Sequence, residues 1–155
     1  MHVVLVEPEI PQNTGNIART CAATGAHLHL IKPLGFEISD KYLKRAGMDY
    51  WNKLDYTVYP EWERFLEANP NAVLHFFSTH GTTSFYDAEY SIGDYLVFGR
   101  ESAGLPEEFY EKYSDRMRII PMPGEFFRSI NLANSASIAL YEAMRQNRCI
   151  WDKSL

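Results

Sequence analysis

Six short runs rich in branched and aromatic residues recur along the chain: HVVLVE (2–7), HLHLI (27–31), YTVY (56–59), AVLHFF (72–77), YLVFG (95–99) and RMRII (116–120). Most are apolar almost throughout, as strands are when both faces of a sheet are covered. Helical stretches separate them. This alternation predicts an α/β fold, a mainly parallel sheet with helices on both faces. Several helix limits are legible too. NIARTCAAT follows an Asn-rich turn and stops at Gly25, a C-terminal cap, while WERFLEA follows Pro60 and PEEFYEKY starts at Pro106. The longest helix is predicted from about Leu132 to Gln146. With no repeat, low-complexity tract or linker, the 155 residues read as one domain, 1–155, around a single compact core.

Composition narrows the class. Apolar residues make up 46% and charged residues 23%, which excludes disordered and collagen-like chains. Cys21 and Cys149 are far apart and lack a C-x-x-C partner, so they read as packed thiols of a reducing compartment. Met1 leads directly into HVVLV, without a signal peptide or a membrane span, and a cytoplasmic location is expected. A net charge of −5 argues against sequence-blind nucleic-acid binding, which needs a basic surface. It leaves room for a local patch from KYLKRAG (41–47), Arg19, Arg128, Arg145 and Arg148. His27, His29, His75 and His80 have no acid or thiol at ligand spacing, so they read as packing or surface residues and no metal is expected.

Ligands of open α/β sheets bind beyond the carboxyl ends of the strands. Three loops there carry the candidates: PEIPQNTGNIAR with Asn13, Gly15, Asn16 and Arg19; GRESAGLP with Gly99, Arg100, Glu101, Ser102 and Gly104; and PMPGEFFRSINLANS with Arg128, Ser129, Asn131 and Asn134. GRESAG is not the dinucleotide fingerprint, no G-K-[ST] occurs, and no G-x-S-x-G elbow supports a nucleophilic serine. SINLANS (129–135) is suited to hydrogen bonding a ligand, and the stripe that follows it is suited to packing.

Taken together, N-x-G-N-x-x-R at 13–19, LVFGRESAGLP at 96–106 and IPMPGEFFRSINLANSASIALYEA at 120–143 resemble the three motifs of the SPOUT superfamily of RNA methyltransferases, SpoU branch. The likeness covers nearly the whole chain. Within that branch, VEPEIPQNTGNIARTCAATGAHLHLIKPLGF and the bare length are similar to the enzymes that methylate the ribose 2'-hydroxyl of the tRNA wobble nucleotide, cytidine or 5-carboxymethylaminomethyluridine at position 34. The resemblance implies a deep C-terminal trefoil knot, a homodimer, tRNA as partner, no membrane attachment, and S-adenosylmethionine as methyl donor. The knot could not be reached from topology rules, which reject knots.

Carried over by position, the donor site falls on Phe77, Gly99, Gly104, Leu105, Ile120, Ser129 and Leu132. The catalytic set falls on Arg19, Asn13, Glu101, Ser129 and Asn131, and the substrate contacts on Arg19, Asn16 and Arg128. SINLANS would then line cofactor and ribose, with Ile138, Leu140, Tyr141 and Met144 packing in the core or against a second subunit. The base remains open between Arg19 and Glu101. A guanidinium is ordinarily never deprotonated, so a phosphate-binding, hydroxyl-orienting role suits Arg19 better. Two departures bear on substrate choice: Arg100 stands where wobble enzymes often carry Pro, and Phe126 and Phe127 enlarge the third loop with rings able to stack on a base. Alternatives are a methyltransferase for another tRNA or rRNA site, a non-catalytic RNA-binding module of the same fold, and a flavodoxin-type protein with an anionic ligand at its first loop.

Overall fold

The structure, a computed structural model, describes residues 1–37, 54–125 and 129–147. Its strands are β1 (His2–Val6), β2 (His27–Ile31), β3 (Tyr56–Tyr59), β4 (Leu74–Phe77), β5 (Thr83–Ser84), β6 (Tyr95–Phe98) and β7 (Met117–Ile119). Its helices are α1 (Pro11–Thr24), α2 (Trp62–Ala68), α3 (Glu107–Lys112) and α4 (Leu132–Gln146). Among the described residues the strands form one sheet in the order β3-β2-β1-β6-β4-β7-β5, and every pairing is parallel. No helix among these residues is long and apolar enough to cross a membrane.

Period-two alternation divides the strand residues between two faces. Val3, Leu5, Leu28, Leu30, Leu96 and Phe98 meet Ile17, Ala18 and Cys21 of α1 and the alanine stripe Ala133, Ala136, Ala139 and Ala143 of α4. Val4, Val6, Ile31, Phe76 and Val97 meet Trp62 and Phe65 of α2 and Phe109 of α3. The expected single core is therefore two cores, separated by a sheet whose central strands are covered on both faces. Small side chains on α4 let it lie close to α1, where Thr20 Oγ1 and Ser137 Oγ are 3.3 Å apart. Of the stripe beyond SINLANS, Leu140 is core and Met144 packs against it, whereas Ile138 and Tyr141 are 40% and 56% exposed.

The helix limits differ from expectation at α1. It begins at Pro11, so the Asn-rich segment is its first turn and not a preceding loop. Proline suits that place because the first helical amides have no intrahelical acceptor. At the other end Gly25 takes φ 70 and Ala26 N donates to Cys21 O at 3.0 Å, a left-handed cap. Cys21 is fully buried, and burial pushes its thiol up to about 12, so it packs and does not react. Cys149 and Arg148 lie outside the described residues.

Of the histidines expected to pack or to lie at the surface, His27 and His29 pack on the α2 face beside His2, His75 is buried with its Nε2 2.9 Å from Asp94 Oδ2, and His80 is exposed. His2 Nδ1 lies 3.0 Å from His29 Nε2, His29 Nδ1 lies 3.2 Å from Tyr59 Oη, and His27 pairs with Asp55 at 2.8 Å and with Thr57 Oγ1 at 2.9 Å. Burial, then repulsion from the N-terminus and His27, lowers His2 to about 4; burial, then His27 and His2, lowers His29 to about 3. Both folded values lie below the ordinary 6.5, so the unfolded chain takes up protons first as pH falls. The stability these neutral rings contribute is present above about pH 6.5 and is lost progressively as pH falls, toward about 4 for His2 and about 3 for His29. The thermal midpoint should drop across that window, and His29→Gln should flatten the drop; a pH-independent wild-type midpoint would refute it.

Candidate active site

β1, β2 and β3 are laid outward in one direction and β6, β4 and β7 in the other, so the order reverses at the β1–β6 boundary. Crevices at such a reversal are where open α/β sheets take ligands. Here a cavity of about 500 Å3 opens beyond Phe77 and Phe98, the last residues of β4 and β6. Its apolar wall includes Phe77, Phe98, Ile120 and Leu132, and its polar wall includes Asn13, Glu101, Ser129 and Asn131.

The loop after β6 can form that wall because two glycines allow it. Gly104 has φ 74, and Arg100 N donates to Gly104 O at 2.8 Å while Gly104 N donates to Arg100 O at 3.0 Å. Gly99 faces that turn so closely that a Cβ on it would sit 2.2 Å from the Gly104 carbonyl carbon. Main chain is thereby presented to the cavity with no side chain between.

A hydrogen-bonded chain of side chains joins the three loops. Asn131 Oδ1 caps α4, accepting from Ala133 N at 2.9 Å and Asn134 N at 3.4 Å. That fixes which way the amide faces, and Asn131 Nδ2 donates to Asn13 Oδ1 at 2.9 Å. Asn13 Nδ2 then donates to Glu101 Oε1 at 3.0 Å. Glu101 also accepts from Ile10 N at 3.2 Å and from Glu9 N at 2.8 Å, so both carboxylate oxygens are engaged. In return the Glu9 carboxylate accepts from Ser102 N at 3.0 Å and Ser102 Oγ at 2.8 Å, and these bonds hold its acid below the usual range. Arg100 forms an ion pair with Glu7.

Of the residues predicted for the site, Asn13, Glu101, Ser129 and Asn131 share the cavity wall with Phe77, Gly99, Gly104, Ile120 and Leu132. Leu105 lines an adjoining cavity of about 600 Å3, beyond His80, Ala103 and Tyr110, which border both. Asn16 and Arg19 stand one and two turns along α1, exposed and away from the wall. Arg128, with Phe126, Phe127 and the 41–47 segment, lies outside the described residues. Arg145, expected in a basic patch, is committed to Glu142, with both nitrogen–oxygen distances 2.8 Å. Sequence reasoning missed Ser78, Thr79 and His80 on the cavity wall. They follow β4, and the carboxyl-end rule applied to that strand too would have found them.

Comparison with known proteins agrees with this geometry. Residues 1–141 match the model of the SpoU rRNA Methylase family. The chain is 47% identical, over 147 residues and 94% of each sequence, to a Saccharophagus degradans protein named tRNA (cytidine(34)-2'-O)-methyltransferase. It superposes with a TM-score of 0.88 and 50% identity, over 96% of each chain, on a solved structure concerned with the 2-OH methylation of C/U34 on tRNA. The SpoU methyltransferase AviRb from Streptomyces viridochromogenes, solved in complex with the cofactor AdoMet, gives a TM-score of 0.81 at 28% identity over 96% of this chain and 58% of that one. Motifs, sheet order and these matches together show that the chain belongs to the SpoU rRNA methylase family.

Proposed function

We propose that this protein methylates the ribose 2'-hydroxyl of the wobble nucleotide, position 34, of tRNA, with S-adenosylmethionine as donor. The observation that carries the reading is the chain Glu101–Asn13–Asn131 drawn across a nucleoside-sized cavity, in a fold whose relatives carry this activity by name. The residues fit the donor. Phe77, Ile120 and Leu132 offer an apolar bed for a heterocycle, the turn Gly99–Gly104 offers unobstructed main chain, Ser129 offers a hydroxyl, and Leu105 backs the loop. When bound, S-adenosylmethionine supplies a methyl group already activated on a sulfonium. The protein supplies placement, and effective molarity from placement alone is large.

Glu101 serves as a strut and not as the base, because three donors already converge on its carboxylate. Arg19 binds the phosphate beside the target ribose and orients the hydroxyl, with Asn16 and Arg128 as further substrate contacts; a planar fork suits that work. Arg19 does not line its own cavity. It stands on α1, beside an α4 that exposes Ile138 and Tyr141, while Ile10 and Ile130 at the cavity are 43% and 37% exposed. These features support a homodimer in which this face is covered and Arg19 serves the partner's cavity. The return of α4 from β7 to cover α1 and β6 supports the knotted C-terminal segment. Residues 1–155 work as one domain in the cytoplasm.

Incubation with labelled methyl donor and unmodified total RNA, followed by nucleoside mapping, should place the label on the ribose of tRNA nucleotide 34. Label on a base, or on ribosomal RNA instead, overturns the assignment. Arg19→Lys should lower turnover by about tenfold or more, since it keeps charge and loses the fork. Unchanged turnover in that variant, or a strict monomer in sedimentation at micromolar concentration, removes the shared-site role.

A further inference from the structure

We propose that Glu7 and Glu9 are positioning residues for methyl transfer: acting through Arg100 and Ser102, they set the register between the start of α1 and the loop after β6, and so place Asn13. The inference rests on the function proposed above and goes beyond it, since neither carboxylate lines the cavity.

Glu7 is the one residue other than glycine with positive φ among the described residues, at 53°. A side-chain-bearing residue holds that conformation only where its surroundings demand it, and such sites cluster where function constrains the backbone. The demand is visible on both sides of the residue. Glu7 N donates to Ile31 O at 2.9 Å, continuing the β1–β2 ladder by one bond, and then the chain turns out of the sheet. The turn lays Glu9 and Ile10 over the Glu101 carboxylate, where both amides donate. The Glu7 side chain meets Arg100, whose main chain is locked to Gly104 in both directions. Two residues on, the Glu9 carboxylate takes both donors of Ser102.

The two loops thus exchange contacts reciprocally: main-chain amides of the first go to a side chain of the second, and a main-chain amide of the second goes to a side chain of the first. On its other flank Glu9 is boxed by Gly35, where a Cβ would come 2.5 Å from Glu9 O. Loop one has little freedom to slide. Asn13 begins the second half of the first turn of α1, so any slip at residues 7–10 reaches it directly. Its two amide bonds, one to each neighbouring loop, tolerate little movement before one is lost.

The test compares Glu7→Gln, Glu9→Gln and Glu7→Gly with the wild type in single-turnover methyl transfer, with donor affinity measured separately by calorimetry. Glu7→Gly removes the ion pair while remaining at ease with positive φ, so it guards against misfolding as the cause. Each variant should transfer methyl about tenfold more slowly, the scale expected for a sub-ångström misplacement of a reacting group, with donor affinity within about twofold. Glu7→Gln combined with Arg100→Gln should be no slower than the slower single variant, because the two remove one contact. Wild-type rates in folded variants, rate losses matched by equal losses of donor affinity, or additive effects in the double variant would each overturn the proposal while leaving the enzymatic reading intact. A wild-type protein that methylates no RNA would instead remove the proposed function, and the positioning role with it.

Discussion

Asn13→Ala should abolish nearly all methyl transfer while leaving a folded protein. Asn13 is 7% exposed and, among the described residues, is the side chain bonded to both other loops, through Nδ2 to Glu101 and Oδ1 to Asn131. Alanine removes both bonds. Glu101 keeps its two main-chain donors, and Asn131 keeps its cap on α4, so neither loop unfolds. What is lost is their mutual placement. A misplacement of about 1 Å costs on the order of 10²-fold in rate, and that is the expected fall in single-turnover rate. Stability should drop by about 1–2 kcal/mol, the cost of leaving one partly buried donor and acceptor short of partners. Asn13→Asp is the sharper variant: it preserves shape and the acceptor for Asn131 but sets a carboxylate against Glu101, so it should be at least as slow. If Asn13→Ala turned over within about threefold of the wild type, the side-chain chain would be structural only.

Gly99→Ala is expected to act on the donor instead of the acceptor. The added Cβ would lie 2.2 to 2.3 Å from the Gly104 carbonyl carbon and oxygen and the Leu105 nitrogen. All three are main-chain atoms, so no flexible side chain can yield and the turn itself must open. Overpacking of this kind costs about 1–3 kcal/mol. Opening the turn moves the main chain that borders the cavity, and donor affinity should fall about ten- to hundredfold by calorimetry, the equivalent of the same energy. Gly124→Ala supplies the control, since nothing lies within 4 Å of a Cβ there and the substitution should be close to neutral. Equal donor affinity in Gly99→Ala would show that the Gly99–Gly104 turn does not hold the donor.

Much of the architecture was legible because the determinants are local. Each of the six apolar runs became a strand, and the predicted limits of the last helix, Leu132 and Gln146, are the observed ones, since Asn131 supplies a cap and Ala133 to Ala143 a continuous buried stripe. β5 was not legible: Thr83 and Ser84 carry no apolar pattern and are strand only because β7 offers them an edge. The first turn of α1 read as a loop because Asn and Gly favour turns, whereas Pro11 and the pull of Ile17, Ala18 and Cys21 into the core decide for helix. At the site, the loops were found by the carboxyl-end rule, but their connections were not. That Glu101 reaches back 88 residues to Asn13, or that Arg100 meets a residue with positive φ at Glu7, depends on sheet order, which no local pattern encodes.

Sheet order also governs how the protein can be made. β1 leaves the ribosome first yet lies in the middle of the sheet, paired on one edge with β2 and on the other with β6. The first partner follows within about one helix of synthesis; the second is complete only at Phe98. At translation rates of about 5–20 residues per second, the apolar inner edge of the nascent sheet waits several seconds for its neighbour. During that interval an open, hydrophobic strand edge is available to any other unfinished chain. Fragments ending before Tyr95 keep that edge permanently, so nonsense truncations in the first half of this chain should yield aggregates and not soluble half-domains.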